Sequence, residues 1–516
     1  MEIAKKNIFS KFYNWFLTVD IYKNYKEDTD KRFYLQFLYR CLAISISLFL
    51  SFITPILNFL PVIACVVAIL TDRTFNRLYY FVFITPFWFV FDWILIVYGV
   101  IFASWGLKYI RDLCNKQVVF NWKILLVALI PIVYVALPIG VQRWDYVAFM
   151  ATFSFILYFV FTYRENFNFK RFTLTSTIAI LTSVLLGLIG LMFKNLYDFS
   201  VAIYLSRGLF RFSACNMDCN FLGAFLIAIF ASLTFLYLRK EINILYLVLV
   251  PIFTIIMIMT GSKLAFLMYS CVVVWLLVAI VFSKDNIKTK LINLGIIVSL
   301  VALACLALQK NLLMIFGRFS EQNLSFTVET PAPPAQDVAP DSTTTIEPNK
   351  TPSATPAPAP RVLSFITAIL TSKIGLKLSS ITSYRIDLWL LYINDLLLSP
   401  LKFIFGKGEG AAKLNIRNSI NQVLKDTHNS MIDLVYYLGI VFLIFIIVLT
   451  VLYFRYRKKQ NAKFNKLAIM VFITSFVVCC SISAFWSYMF VFLILNATLC
   501  MFEVKKGESD EGSSDK

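Results

Sequence analysis

The sequence predicts an all-α protein, a polytopic membrane helical bundle with about twelve transmembrane helices. Three observations predict it. Hydrophobic residues make up 59% of the 516 positions and charged residues only 15%, against roughly 25% charged in soluble domains. Apolar runs near ~20 residues recur, each long enough to cross a bilayer as a helix. The net charge of +19 gathers in connections that share one side of such a bundle. The positive-inside rule explains that more simply than nucleic-acid binding does. A soluble enzyme, a disordered chain and a disulfide scaffold are excluded.

Residues 1–40 carry eight basic groups, from Lys5 to Arg40, and no A-x-A-like site, so no cleaved signal peptide is expected. Ile8, Phe9, Phe12, Trp15 and Phe16 share a helical face, which predicts an interfacial helix on the inner leaflet. Nine spans are expected within 41–308: 41–70, 80–105, 123–141, 146–163, 171–193, 220–238, 243–260, 264–283 and 288–308. Three more fill 431–502: 431–454, 465–483 and 486–502. The first span is over-long and holds Pro55 and Pro61, so it reads as one kinked helix or as two. With the N-terminus inside and that span unsplit, 106–122, 164–170, 239–242, 284–287 and 455–464 all become cytoplasmic, and all are basic. Splitting the first span would invert this agreement everywhere downstream. Twelve crossings of the cell membrane are therefore expected, with both termini cytoplasmic and 503–516 a disordered tail.

That parity places two long connections outside, 194–219 and 309–430. Within the second, residues 328–360 are Pro/Ala/Thr-rich and predict an extended tether. Its composition resembles linkers on some Gram-positive surface proteins. Residues 361–380 put Val362, Phe365, Ile366, Ile369 and Leu370 on one face, as an amphipathic helix on the outer leaflet would. Residues 384–398 read as a short helix stopped by Ser399-Pro400. GKGEG at 406–410 reads as a flexible turn, and Asp426 or Thr427 as the cap of the next helix. Most of the ten cysteines sit in apolar runs, where a thiol is a small hydrophobe. Cys215 and Cys219 lie in a polar connection, either as a pair or, more simply, as spare thiols. No zinc-type spacing accompanies them, and neither a metal nor a cofactor is expected.

His428 is the chain's only histidine, placed where the 309–430 loop re-enters the membrane. A lone histidine is commonly structural. At a helix N-terminus, however, the dipole disfavours an imidazolium, and a neutral imidazole near pH 7 can act as general base. Asn429 beside it can orient the ring or bind sugar. Arg207 and Arg211 lie in one external connection, Arg385 and Arg417 in the other. Guanidinium groups suit phosphate oxygens, although snorkelling at the membrane surface is the plainer alternative. Arg385 and Trp389 are four apart and share a helical face. They make either a phosphate clamp beside a sugar-stacking ring or a cation–π pair. Asp92 and Asp433 are the clearest intramembrane acids. There is no P-loop and no HExxH.

These residues resemble the signature of the O-antigen ligase and O-antigen polymerase family: His428-Asn429, nine further residues, then Gly439, with Phe442 where a small residue or Tyr is usual. RFSACNMDCN at 211–220 resembles the family's external Arg…Asp-Pro-Asn stretch, ending at Asn220, with Cys219 in place of proline. TGSK at 260–263 resembles its Ser-Arg turn, with Lys263 in place of arginine. Arg385, Trp389, Pro400 and the Gly406-Lys407-Gly408 turn are similar to its Arg/Trp helix and glycine turn. The resemblance covers residues 200–445 and extends to the layout, a large external loop before three final spans.

The resemblance implies a GT-C-like, inverting, metal-independent glycosyltransferase acting outside the cytoplasmic membrane. Its implied partners are an undecaprenyl-pyrophosphate-linked glycan donor, a glycan or lipid-linked acceptor, the lipid bilayer and other polysaccharide export proteins. The products would be O-antigen, capsule or exopolysaccharide, and the tether favours the latter two. His428 would take the acceptor proton. Arg211 and Arg385, then Arg207 and Lys263, would bind pyrophosphate. Asn429, Trp389 and Asn220 would bind or orient substrate. The alternative is a flippase or other polytopic transporter without glycosyl-transfer chemistry. Twelve spans suit that reading, but the paired repeats and interrupted midplane helices of transporters are not evident in the sequence.

Overall fold

The computed structural model describes residues 30–118, 155–192, 203–319, 326–329, 389–406, 415–418, 423–424, 429–459, 467–480 and 488–501, with one or two positions omitted inside some stretches. They are mostly helical. The chain begins with α1 (Asp30–Ile53), α2 (Leu60–Leu70), α3 (Arg77–Ile84) and α4 (Ile94–Cys114). The middle holds α5 (Phe169–Met192), a hairpin of β1 (Ile203–Ser206) and β2 (Leu209–Phe212), then α6 (Cys219–Leu238), α7 (Asn243–Thr260), α8 (Lys263–Val281), α9 (Ile287–Ala307) and α10 (Gln309–Phe319). The last part holds β3 (Phe326–Glu329), α11 (Pro400–Phe405), β4 (Asn415–Asn418), β5 (Val423–Leu424), α12 (Ser430–Lys459), α13 (Ala468–Cys479) and α14 (Tyr488–Met501).

Six helices, α1, α4, α5, α6, α8 and α9, are long and apolar enough to cross a membrane. From α5 onward each expected span coincides with a helix to within a few residues. Expected spans 123–141 and most of 146–163, the first 29 residues and the 361–380 helix lie outside the described residues.

α6 is the axis of the bundle. Every position from Leu222 to Tyr237 is buried, as expected of a helix apolar on all sides. It touches α5, α7, α8, α13 and α14. A Cβ at Gly223 would stand 2.7 Å from that of Ala265, so α6 and α8 meet where small residues allow it. Polar bonds are sparse and specific. Ser232 donates to Asn496 Oδ1 over 2.8 Å, and Asn496 Nδ2 donates to the Ala228 carbonyl over 3.3 Å. α9 is peripheral and exposes Leu291, Ile292, Val298, Leu303 and Leu306. So broad an apolar face suits lipid rather than water.

The first two expected spans are corrected. Residues 41–70 are not one helix: Pro55 opens a 3-10 turn, Pro61 enters the first turn of α2, and α2 folds back along α1. Arg40 of α1 thereby reaches the Thr71 carbonyl and the Asp72 carboxylate beyond α2. Residues 80–105 are likewise split, into α3 and α4. Thr85 meets the Tyr98 hydroxyl, and Trp105 Nε1 donates back to the Thr74 carbonyl. Each expected span is thus a there-and-back excursion. The two hairpins bring Arg40, Asp72, Thr74 and Trp105 to one end of the bundle. Arg73 and Arg77 now join that basic end.

The basic end is heavily bonded. Asp72, 8% exposed, accepts from Arg40, from Tyr80 Oη over 2.8 Å, from Asn76 Nδ2 over 2.8 Å and from the Arg73 amide over 2.7 Å. Asp112 accepts from Lys108 Nζ and Tyr163 Oη, each over 2.7 Å. Arg164 donates to the Leu499 carbonyl over 2.7 Å and so ties α14 to the same end.

Candidate functional site

At the opposite end of α6, three chain segments converge on Arg211. β1 and β2 pair antiparallel, with Tyr204 opposite Arg211. Past β2 the chain is pressed onto α5. Ala214 adopts a left-handed conformation (φ 53), and a Cβ on Gly187 would come within 2.8 Å of its Cα. The Cys215 amide donates to Ser183 Oγ over 3.3 Å, and its thiol to the Ser183 carbonyl over 3.5 Å. Burial pushes the Cys215 thiol up to about 12, with the Ser183 hydrogen bond opposing. Asp218 then caps α6, its Oδ1 accepting from the Asn220 amide over 2.7 Å. The third segment is the turn between α7 and α8. α7 ends at Thr260, Gly261 takes the left-handed C-cap (φ 60), and α8 begins at Lys263.

Arg211 is 5% exposed. Its Nε donates to the Thr260 carbonyl over 3.1 Å and its Nη2 to Asn220 Oδ1 over 3.1 Å. Ser262 Oγ donates to the same Asn220 oxygen over 3.0 Å. Thr260 Oγ1 accepts from the Ser262 amide over 3.2 Å. Lys263 is buried at the first position of α8. The guanidinium plane is therefore set by a helix C-terminal carbonyl, where a cation is favoured. The N-termini of α6 and α8 both open onto the cluster. Helix N-termini favour anions, and a fixed guanidinium beside them suits phosphate oxygens.

Arg211, Asn220 and the TGSK turn are thus brought together. Sequence reasoning named Lys263 but passed over Ser262, whose hydroxyl makes the link between α8 and α6. That bond joins residues 42 positions apart, a separation that local spacing does not encode. His428, Arg385 and Arg207 lie outside the described residues. Trp389 is half-buried in a helical stretch. Cys215 and Cys219 are separate thiols, and Cys219 Sγ donates to Asp218. Asp92 is also outside the described residues, whereas Asp433 is buried in the first turn of α12.

Asn429 has a role the sequence reading gave to its neighbours. The cap of α12 is neither Asp426 nor Thr427. Asn429 Oδ1 accepts from the amides of Met431 (2.9 Å) and Ile432 (3.2 Å), since asparagine is as good an N-cap as aspartate. Its carbonyl oxygen is committed to the helix. α13 packs against α14 and both pack against α6. α14 runs parallel to α6, with Phe492 against Phe225 and Asn496 against Ser232. No family model matches the chain, and no curated protein or solved structure matches it.

Proposed function

We propose that the protein is a membrane glycosyltransferase of the O-antigen ligase and polymerase type. It transfers or polymerises undecaprenyl-pyrophosphate-linked oligosaccharide units on the outer face of the cytoplasmic membrane. The observation that carries this reading is the Arg211–Asn220–Ser262 cluster. The two stretches resembling family motifs, far apart in sequence, share one hydrogen-bonded site. His428 removes the proton of an acceptor hydroxyl. That oxygen attacks the anomeric carbon from the face opposite the leaving group. The bond from anomeric carbon to phosphate oxygen breaks, and undecaprenyl pyrophosphate departs with the electron pair. Arg211, with Arg385, Arg207 and Lys263, offsets the charge that builds on it. Asn429, Asn220 and Trp389 orient substrate.

The basic end supports this reading over a transporter. Alternating access opens both ends in turn, whereas the bonds of Asp72, Asp112 and Arg164 cross-tie α1–α4 and α14 there. The test mixes purified protein with a synthetic pyrophosphate-linked oligosaccharide, without nucleotide or metal. Elongated glycan is the expected product. Movement of intact lipid across a vesicle without new glycosidic bonds would establish the transporter instead.

A further inference from the structure

α12 consists of two helices of different character. Its first nine residues, Ser430–Leu438, bury Ser430, Asp433, Leu434, Tyr436, Tyr437 and Leu438. Beyond Gly439 it exposes Val441, Ile444, Ile447, Val448 and Val451, an apolar face of the kind lipid covers. Gly439 separates the two with φ 79 and ψ 170, a backbone region that only glycine occupies without strain. The head is about 13 Å long at 1.5 Å per residue and carries the Asn429 cap at its tip.

A second glycine meets the break. α11 ends at Gly406, which has φ 83. A Cβ on Gly406 would lie 2.2 Å from the Tyr437 carbonyl oxygen, and one on Gly439 would lie 2.1 Å from the Ile404 carbonyl oxygen. The obstacles are main-chain atoms on both sides, so no side-chain rotation relieves them. Each glycine makes room for the other's backbone. The head is seated from another side by Tyr392, whose ring stands edge-on to Tyr436 at 4.8 Å.

We propose that the Gly406–Gly439 crossing is a positioning element, holding the α12 head at a fixed angle to α11 while the rest of α12 stays in lipid. Its kinetic consequence rests on the glycosyl-transfer reading, because on that reading the tip presents the base. Its geometric consequence does not.

The experiment uses full-length Gly439→Ala, Gly406→Ala and Tyr436→Leu proteins. Spin labels on Cys replacements of Met431 and Leu401, in an otherwise cysteine-free background, report the angle of the head. The parent is expected to give one narrow distance. The glycine variants are expected to shift or broaden it by several ångströms, while affinity for polyprenyl pyrophosphate stays within about twofold and kcat falls ~10²-fold, as misplacement of a reacting group by an ångström does. Tyr436→Leu adds no backbone clash. It moves distance and kcat the same way to a smaller degree, and it decides the matter if the glycine variants fail to insert. Unchanged distances in the inserted variants would overturn the proposal. If the parent forms no glycosidic bond, the function falls while the distances still judge the crossing.

Discussion

Arg211 is held in one orientation by a carbonyl and an amide oxygen, so charge alone does not describe its contribution. Removing a positioned donor from developing negative charge costs roughly 10²–10³ in rate, and Arg211→Ala is expected to lose that much kcat. Arg211→Lys keeps the charge but not the planar fork, and it should recover no more than a tenth of the loss. Ser262→Ala frees the Asn220 oxygen from one donor and should raise KM for the lipid donor several-fold. Cys215 gives a check independent of catalysis. With its thiol raised by burial, maleimide at pH 7 should label the exposed Cys114 and spare Cys215. Unfolded thiols ionise near 9.0, so this group's contribution to stability holds below that pH and is lost as pH rises toward 12. Arg211 was legible from its company in RFSACNMDCN. Ser262 was not, because its partner is remote in sequence. The N-cap was misplaced by two or three residues because Asp426, Thr427 and Asn429 are all good caps and only coordinates choose among them.

Among elements, the Asp72 turn is the most informative. Its carboxylate receives four donors, one from α1, one from α3 and two from the turn between α2 and α3. Removing one partner of a buried ion pair costs roughly 3–5 kcal/mol. Because Arg40 is 22% exposed, Asp72→Ala should fall at the low end of that range. A lower thermal midpoint with unaltered affinity for polyprenyl pyrophosphate is the expected result. Loss of that affinity with the midpoint intact would show that the turn is not merely structural. Hydropathy could not reveal this turn. α2 and α3 have 11 and 8 residues, too few to register as spans near ~20 residues, so each merged with its longer partner. The prolines marked the break, but charge parity argued for a single helix. The second split falls at Pro86, in the 3-10 turn Thr85–Phe87, a signal that the sequence reading did not use.

For the whole molecule, the two ends differ in kind. One is cross-tied and gathers Arg40, Arg73, Arg77, Lys108, Arg164, Arg239 and Lys240. The other presents helix N-termini, a left-handed turn and a fixed guanidinium. Single-cysteine reporters at residues 73 and 240 are expected to label from the same side of the membrane, and one at 218 from the other. Labelling of 73 with 218 would contradict the double excursion of α1–α4. The bundle's length and most of its helices were readable from hydropathy, because lipid rewards long apolar runs regardless of tertiary detail. The convergence of β2, α6 and α8 was not, because it depends on how the helices stack. The most direct measurement of the central claim counts glycosidic bonds formed per polyprenyl pyrophosphate released, for wild type and Arg211→Ala in identical vesicles. A one-to-one ratio in the wild type, with turnover at least ~10²-fold lower in the variant, is predicted. Equal turnover in the two proteins would contradict it.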